Sequence, residues 1–423
     1  MGLISNLFYF FTPYTDATER AVGRFFKRLS ERGSQSRTRA RLDPLLQHNI
    51  AVINLWTEYQ YKGYRYLTKA QRKKLYANMQ LIAEDFDRFY TNDVRSPQAA
   101  ISQIQSIAPQ ATIDPQKAVL LQALTYYFSP KRGLYVYRES SSFGRLLRDP
   151  AQEKLIGDCN QIVTLYIYLY SRYYTVSDLR IRLLPGHVAL HYAGIDIETT
   201  NGTFADYSKR EGNSLLPIEE IVSINLLDTT DSYLSTHEVA AKDFLQAARF
   251  ASILSHDHDI ARRNLHAAYS NAINALMKNN NFKQALQFAV ASRDRELLAI
   301  VGNNGAVYEM KRHNYPAARR FASHAANRDE LIKSIWQAEG IYHLQAERYH
   351  NAIKAFKKID DQTLIRQSYT ALFFQEQKKL GTKPTIETIR QRHMGTIKRM
   401  HTYAKKSRDK KLLEYMNDLQ KNL

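Results

Sequence analysis

Cysteine is nearly absent from this sequence: the 423 residues contain one, Cys159. A single thiol excludes a fold stabilised by disulfides within the chain. Because the first residues also lack the positive n-region of a signal peptide, we predict a reducing compartment and a cytoplasmic protein. Hydrophobic residues make up 44% of the chain, so its stability must come from buried cores, and its length suits about two to three domains.

Long apolar runs and cofactor motifs are also missing. No stretch approaches the roughly 18 apolar residues that span a bilayer, and the run Leu7–Phe11 is far shorter. We therefore expect no transmembrane segment. The sequence has no Gly-rich phosphate loop and no Cys or His residues at metal-ligand spacing. We predict neither a cofactor nor a metal site.

Acidic residues are outnumbered, 41 against 60 basic residues, which gives a formal net charge of +19. Such an excess favours contact with phosphate-rich partners without specifying one. The basic residues are dense between Arg20 and Arg41 and again from Lys378 to the end. We interpret most of them as solvated helix faces. The alternative is weak contact with nucleic acid or an anionic membrane through the two basic ends.

The order of the patterns predicts an α+β protein in three parts. Residues 1–128 have helical periodicity, and Asp114-Pro115 is a helix start with a capping residue followed by Pro. In residues 129–235 an apolar helix beginning near Cys159 precedes strand-like runs at 179–184, 187–192 and 195–199, the last two joined by a tight turn at 193–194. Residues 236–423 are helical again and end in a basic tail.

The last part contains an internal repeat. An aromatic-x-x-Ala pattern begins at Phe282 and recurs at Tyr315 and at Tyr349. A small residue, Ala306 or Gly340, precedes the last two where helices would cross. A period of about 34 residues is typical of tetratricopeptide repeats, which bind a protein or peptide partner in a concave groove. An irregular helical bundle with chance spacing is the alternative.

The only thiol stands in the segment Gly157-Asp158-Cys159-Asn160-Gln161, at the start of an apolar helix. A helix N-terminus presents unpaired N–H groups and the positive end of its dipole, which favours a thiolate over a thiol. The same N–H groups could stabilise an oxyanion after the sulfur attacks a carbonyl. This position therefore suits a nucleophile.

A proton acceptor and an acid follow in the strands. Pro185-Gly186-His187 places a histidine at the start of one strand, and the next strand carries Asp196 and Glu198 on one face, because side chains alternate along a strand. Either carboxylate could accept the histidine N–H and complete a Cys–His–acid arrangement. Downstream, Asp206-Tyr207 is interpreted as a surface turn, with a place at the rim of the site as the alternative.

These motifs resemble a known family. Gly-Asp-Cys opening a helix, Pro-Gly-His opening a strand and the Glu-Thr-Thr-Asn-Gly segment that begins at Glu198 on the next strand look like the transglutaminase-like, papain-type domain of a bacterial subgroup often fused to tetratricopeptide repeats. The resemblance covers about residues 135–207. It implies Cys159 as nucleophile, His187 as general base and Glu198 as orienting acid, with Asp196 as the alternative acid.

The resemblance also implies a function. A domain of this type would act as a cysteine peptidase, amidase or acyltransferase on protein substrates recruited by the repeats. The alternative is a catalytically inactive scaffold that binds protein partners through the repeats. Asn160 and Gln161 depart from the hydrophobic or small residues that often follow the family's cysteine.

Overall fold

The computed structural model describes residues 9–30, 33–92, 95–139, 142–228, 240–382 and 384–423. The chain divides into two compact units, Met1–Ala272 and Ile273–Leu423. It is mainly helical with a small antiparallel sheet, which confirms the coarse prediction of a mainly helical α+β protein. The expected boundary at 235/236 lies outside the described residues.

The first unit is built from helices around a five-stranded sheet, with a separate pair of strands. Its helices are α1 (Ala17–Lys27), α2 (Gln35–Tyr61), α3 (Lys69–Asn92), α4 (Pro97–Gln105), α5 (Pro115–Tyr127), α6 (Cys159–Ser171), α7 (Glu220–Leu227), α8 (Ala241–Leu254) and α9 (His258–Lys278), which crosses the boundary at 272/273. Its strands are β1 (Tyr135–Tyr137), β2 (Leu155–Gly157), β3 (Arg180–Leu184), β4 (His187–Tyr192), β5 (Ile195–Glu198), β6 (Thr203–Ala205) and β7 (Ser214–Pro217).

The five-stranded sheet has the order β6-β5-β4-β3-β7, and all neighbouring strands are antiparallel. The β4–β5 register pairs Leu190 with Ile197 and His191 with Asp196. The predicted turn at 193–194 is confirmed, because Ala193 and Gly194 both have positive φ, 44° and 95°. This tight hairpin returns β5 beside β4 with Asp196 and Glu198 on one face. A separate parallel pair joins β1 to β2.

Helix α6 lies at the centre of the first unit. It is buried from Gln161 to Tyr170 and contacts α2, α5 and β4. A helix that is apolar on every side must be surrounded by other elements, and this explains why so many elements pack against it. The surrounding core is one hydrophobic cluster that runs from Tyr14 to Leu254 in the sequence. The position of Cys159 is therefore fixed by the most buried helix of the unit.

The second unit is a series of helices in which each contacts the next. They are α10 (Phe282–Ser292), α11 (Arg295–Lys311), α12 (Tyr315–Ala322), α13 (Arg328–Gln345), α14 (Tyr349–Lys357), α15 (Gln362–Lys378), α16 (Met394–Ser407) and α17 (Lys410–Asn422), with short helical turns at 386–393. The aromatic residues of the predicted repeat, Phe282, Tyr315 and Tyr349, are the first residues of α10, α12 and α14.

Small residues allow these helices to approach each other closely. A Cβ added at Gly305 would stand 2.5 Å from the ring of Phe321, and one at Gly340 would overlap the ring of Phe356. Ala306, which precedes Tyr315 by nine residues, is buried, as is Gly340 at the equivalent distance before Tyr349. The predicted small residues therefore do lie at helix contacts. Helices α16 and α17, which share a hydrophobic cluster with Phe373, carry part of the basic tail: Lys398, Arg399, Lys405, Lys406, Lys410, Lys411 and Lys421.

Candidate active site

Cys159 is the first residue of α6, and its local geometry is set by a capping box. The Asp158 carboxylate accepts hydrogen bonds from the backbone N–H groups of Asn160 (3.0 Å) and Gln161 (3.4 Å). In return, the Gln161 side chain accepts a hydrogen bond from the Asp158 N–H at 2.9 Å. This reciprocal arrangement fixes the start of a helix. The Asn-Gln pair that departs from the family pattern thus has a structural role, because Gln161 completes the box.

The capping box changes the expectation that several N–H groups at the helix tip could bind an oxyanion. Those of Asn160 and Gln161 already donate to Asp158, and the Ile162 N–H donates to the Asp158 carbonyl at 3.0 Å. Among the described residues no partner is found for the Cys159 N–H. Of the backbone N–H groups predicted to bind an oxyanion at the helix tip, the structure therefore leaves that of Cys159.

His187 lies between the thiol and a carboxylate. Its Nε2 is 2.7 Å from Glu198 Oε2, while the Cys159 thiol donates to Asn160 Oδ1 at 3.8 Å. Interaction with the Cys159 side chain, followed by that with Glu198, raises the pKa of His187 from 6.5 to about 10. Because Nε2 faces the carboxylate, Nδ1 is the ring nitrogen left for the sulfur. The imidazole is therefore held in its protonated form at neutral pH.

Glu198 is buried and ionised. Burial raises the pKa of this carboxyl, but hydrogen bonds from His187, Thr200 and Tyr207 outweigh burial and lower it from 4.5 to about 2. The Thr200 hydroxyl donates to Oε1 at 2.5 Å and the Tyr207 hydroxyl donates to Oε2 at 2.7 Å. A carboxylate with this many donors keeps its charge and a fixed orientation.

Asp196, the alternative acid, is engaged elsewhere. Its Oδ1 lies 3.0 Å from Arg182 Nε and 2.7 Å from His191 Nδ1, and its Oδ2 accepts the Tyr207 N–H at 2.7 Å. Burial raises its pKa, but these bonds outweigh burial and lower the pKa below its usual range. Of the two carboxylates on this face, the one bonded to His187 is thus Glu198, and Asp196 supports the turn that carries Tyr207.

For Tyr207 the sequence favoured a surface turn over the rim of the site, and the structure shows the residue bonded to both carboxylates of the site. Tyr207 follows β6, whose pairing with β5 returns the chain to the sheet beside Glu198 and Asp196. Its hydroxyl bonds one carboxylate and its N–H the other, so the predicted surface turn contributes a side chain to the site. No sequence motif at Tyr207 indicates a functional role. Its position in the site follows from the pairing of β5 with β6, and the sequence of residues 199–205 did not predict strand β6.

The three predicted residues differ in accessibility. Cys159 is 9% exposed, while the His187 side chain is 22% exposed and that of Glu198 only 8%. The histidine is the most accessible of the three, and the acid behind it is buried. This arrangement suits Cys159 as nucleophile, His187 as base and Glu198 as the group that orients the base. Within the described parts of the chain no group of three His, Cys, Asp or Glu side chains could hold a metal ion.

Comparisons with known proteins give no match: no family model, no curated protein and no solved structure corresponds to the chain. No helix in the described part of the chain combines the length and apolar character needed to cross a membrane. Any functional conclusion must therefore rest on the geometry of the site itself.

Proposed function

We propose that the first unit is a thiol acyl-transfer domain of the transglutaminase-like, papain-type class, which acts on carboxamide or peptide bonds of protein substrates. In this proposal Cys159 is the nucleophile, His187 the general base and acid, and Glu198 the group that orients His187. The supporting observation is the position of one imidazole: His187 is 2.7 Å from Glu198 and interacts with the Cys159 side chain at the tip of α6. An α6 helix packed on an antiparallel sheet, with the thiol at the helix tip, agrees with this class.

The chemistry of this arrangement is acyl transfer in two steps. The Cys159 sulfur attacks the carbonyl carbon, and the resulting oxyanion accepts the Cys159 N–H. As the C–N bond breaks, the leaving amine takes a proton from His187, and a thioester remains on the sulfur. Water or a second amine then attacks the thioester and gives its proton to His187. The product is a carboxylic acid or a new amide, and the imidazolium and thiolate are restored.

Glu198 supports both steps without reacting. Its carboxylate faces Nε2 of His187, so it keeps the other ring nitrogen directed at the sulfur and stabilises the imidazolium. Thr200 and Tyr207 hold the carboxylate in turn. This explains why the site needs a buried, fully bonded acid rather than an exposed one.

Recruitment of the substrate is assigned to the second unit, which we interpret as a tetratricopeptide-like array. Val307, Ile341 and Phe374 lie one repeat apart on α11, α13 and α15, and they are 45%, 38% and 47% exposed. Val307 and Ile341 each precede by eight residues the aromatic residue that begins the next helix of the repeat. Exposed apolar residues at repeat-equivalent positions favour a protein segment as the ligand of this face.

Alkylation of the single thiol tests the catalytic proposal. Iodoacetamide should label Cys159 of the wild-type protein near pH 7 at least about ten times faster than Cys159 of a His187→Ala variant, because the imidazolium favours the thiolate. The matched control is His191→Ala. His191 lies on the same face of β4 as His187, but it is bonded to Asp196 and not to Glu198. Equal rates in the wild-type and His187→Ala proteins would overturn the proposal.

The second candidate function, an inactive scaffold, is favoured by the same exposed apolar residues of α11, α13 and α15. Under this alternative, Cys159→Ser leaves the cellular phenotype of the protein intact, while Ile341→Asp abolishes it. Loss of the phenotype in a folded Cys159→Ser protein rejects the scaffold hypothesis. Both variants are checked for folding by their unfolding curves before comparison.

A further inference from the structure

A cavity of about 440 Å³ adjoins the two segments that carry the reacting groups. Asn160, next to Cys159 in α6, and Gly186, next to His187, both line it. The cavity belongs wholly to the first unit. Its volume is within the usual range for a pocket that encloses a small ligand or a side chain. Cys159 and His187 themselves are not among the lining residues, so the cavity adjoins the segments of the reacting groups without enclosing those groups.

The walls of the cavity are mainly apolar. Leu183 and Pro185 come from the end of β3 and the turn before His187, Ile224 and Leu227 from α7, and Ile260 from the first turn of α9. The Gly212 backbone closes against Pro185, where a Cβ would stand 3.0 Å from the proline ring. Such walls suit an aliphatic chain rather than a polar one.

Carboxylates lie at the polar part of the lining. Glu220, Asp228 and Asp257 line the cavity, and no Lys or Arg of the described chain is among its lining residues. The excess of acidic residues in the cavity lining is opposite in sign to the net charge of the whole chain, which is +19. Arg39 interacts electrostatically with Glu220 from outside the lining. The cavity is therefore locally acidic in a basic protein.

The three carboxylates already have partners in the protein, which fixes their positions. Glu220 accepts from the Ser255 hydroxyl at 2.7 Å and from the His256 N–H at 2.5 Å. Asp257 accepts the Ile260 N–H at 3.0 Å, and Asp228 accepts from the Gln161 side chain at 3.2 Å. These donors are neutral groups. Burial raises the pKa of Glu220, which weakens the contribution of this residue to the charge of the lining.

We propose that this cavity is the subsite for the substrate side chain next to the carbonyl under attack, and that it selects lysine or arginine. The apolar walls would pack against the aliphatic stem, and the carboxylates would attract the cationic head group. The inference rests on the proposed acyl-transfer function, whose nucleophile Cys159 and base His187 are sequence neighbours of the lining residues Asn160 and Gly186. An acidic side chain is disfavoured there because it would meet like charges.

Peptidyl chloromethyl ketones test the subsite through the single thiol. Three probes are identical except for the residue next to the electrophile: lysine, norleucine, which has the same stem without the charge, and glutamate. The rate of modification of Cys159 is measured by intact-protein mass spectrometry. We expect the lysine probe to react at least about ten times faster than the norleucine probe, as expected for a hydrogen-bonded charge pair, and the glutamate probe to be slowest.

Variants of the lining sharpen the test. Asp228→Asn and Asp257→Asn each keep a hydrogen-bond acceptor but remove a charge, so each should lower the lysine-to-norleucine rate ratio at least about threefold. Asp418→Asn, which removes an exposed carboxylate of the second unit, is the control and should leave the ratio unchanged. The ratio is taken within each protein, so differences in thiol reactivity between variants cancel.

The outcomes separate the subsite from the function on which it rests. If iodoacetamide labelling depends on His187 but the lysine and norleucine probes react at equal rates, or none of the peptidyl probes reacts, the subsite proposal is wrong and the acyl-transfer function stands. If iodoacetamide labelling does not depend on His187, both are overturned. A ratio that is unaffected by Asp228→Asn and by Asp257→Asn also contradicts the subsite.

Discussion

The two units of the chain are stabilised in different ways. In the first unit, charged side chains are buried in pairs: Arg72 and Glu19 are both 0% exposed, and Arg182 and Asp196 are 6% and 2% exposed. In the described part of the second unit no ion pair has both side chains as deeply buried: Arg319 and Glu339 are 21% and 16% exposed, and Lys421 and Asp418 are 78% and 75% exposed. The interior of the second unit is formed instead by rings packed on small residues.

This difference shows where each unit obtains its specificity. Buried polar networks are costly unless every member is bonded, and when they are complete they hold side chains in one arrangement. The site of the first unit needs such precision, because His187 must face both a sulfur and a carboxylate. A helical array needs only repeated contacts between neighbours, and its stability is approximately the sum of those contacts.

The largest expected effect is the loss of the buried pair in the first unit. Arg72→Met leaves Glu19 buried without the guanidinium that is 2.6 Å from it, and should lower the free energy of unfolding by about 3 to 5 kcal/mol. Urea unfolding measures this change in a Trp336→Phe background, where Trp56, which packs in the first unit, is the only tryptophan.

Lys421→Met is the comparison in the second unit. It breaks an exposed pair and should change the free energy of unfolding by less than about 1 kcal/mol, followed through Trp336 in a Trp56→Phe background. Adding Glu19→Gln to Arg72→Met should recover part of the loss, because the unpaired charge is removed. If the Arg72 and Lys421 variants lose equal stability, the comparison between the units fails.

The second effect concerns pH and the acid of the site. The pKa of Glu198 is about 2 in the folded protein and 4.5 is its ordinary value. The unfolded state therefore binds the proton more readily, and the stability that Glu198 contributes is complete above about pH 4.5 and is lost as the pH falls towards 2. Between pH 6 and pH 3 this loss amounts to about 2 kcal/mol.

Glu198→Gln isolates this contribution, because other carboxylates with lowered pKa values remain in both proteins. The variant should lose about 2 kcal/mol less stability between pH 6 and pH 3 than the wild type, measured by urea unfolding through Trp56. His187, whose pKa is raised to about 10, contributes in the opposite range: its stabilisation is present below about pH 6.5 and is lost as the pH rises through 10. An identical acid dependence in both proteins contradicts the ionised, buried Glu198.

A third prediction compares two glycines of the second unit. Gly340→Ala places a Cβ against the ring of Phe356, and the displacement of that ring should cost about 1 to 2 kcal/mol. At Gly395, in the first turn of α16, a Cβ would meet only Arg399 at 3.7 Å, so Gly395→Ala should stabilise the unit by about 0.5 kcal/mol. Both are followed through Trp336. Stabilisation by Gly340→Ala would show that the close ring contact is not required.

The sequence predicted those features that depend on short-range pattern. The start of α6 at Cys159, the hairpin of β4 and β5 and the shared face of Asp196 and Glu198 follow from caps, turns and strand alternation. The starts of α10, α12 and α14 follow from the aromatic residues that recur once in every repeat. Caps, turns, strand alternation and a repeated aromatic residue can each be recognised from a short segment of the sequence or from its period, without knowledge of distant contacts.

The rest depended on which distant side chains meet. Alternation alone left Asp196 and Glu198 equivalent, and the choice between them is decided by Arg182, which comes from a third strand and holds Asp196. Composition likewise counted Arg72 within the general basic excess, although it is fully buried against Glu19, a residue distant in the sequence. Such pairings depend on the packed structure, because nothing in the sequence adjacent to either residue indicates the partner.

The smallest expected effect tests whether the network around the site works as a unit. Tyr207→Phe removes the hydroxyl that donates to Glu198 Oε2 at 2.7 Å and leaves the ring in place. Glu198 keeps the donors from His187 and Thr200, so the iodoacetamide rate at Cys159 near pH 7 should fall by no more than about tenfold. The pKa of Glu198 should rise towards its ordinary value, since a bond to its charged form is lost.

This pH response distinguishes positioning of Glu198 from a general role in packing. In the Tyr207→Phe protein the acid limb of the profile of unfolding free energy against pH should move to higher pH, whereas a packing defect would lower the free energy of unfolding equally at every pH. The control is Tyr192→Phe, in the same sheet but bonded to neither Glu198 nor Asp196 among the described contacts, and it should leave the profile unchanged. If the profile of Tyr207→Phe has the wild-type shape, the hydroxyl of Tyr207 is not needed to keep Glu198 ionised. The buried network of the first unit would then be less cooperative than its hydrogen bonds imply.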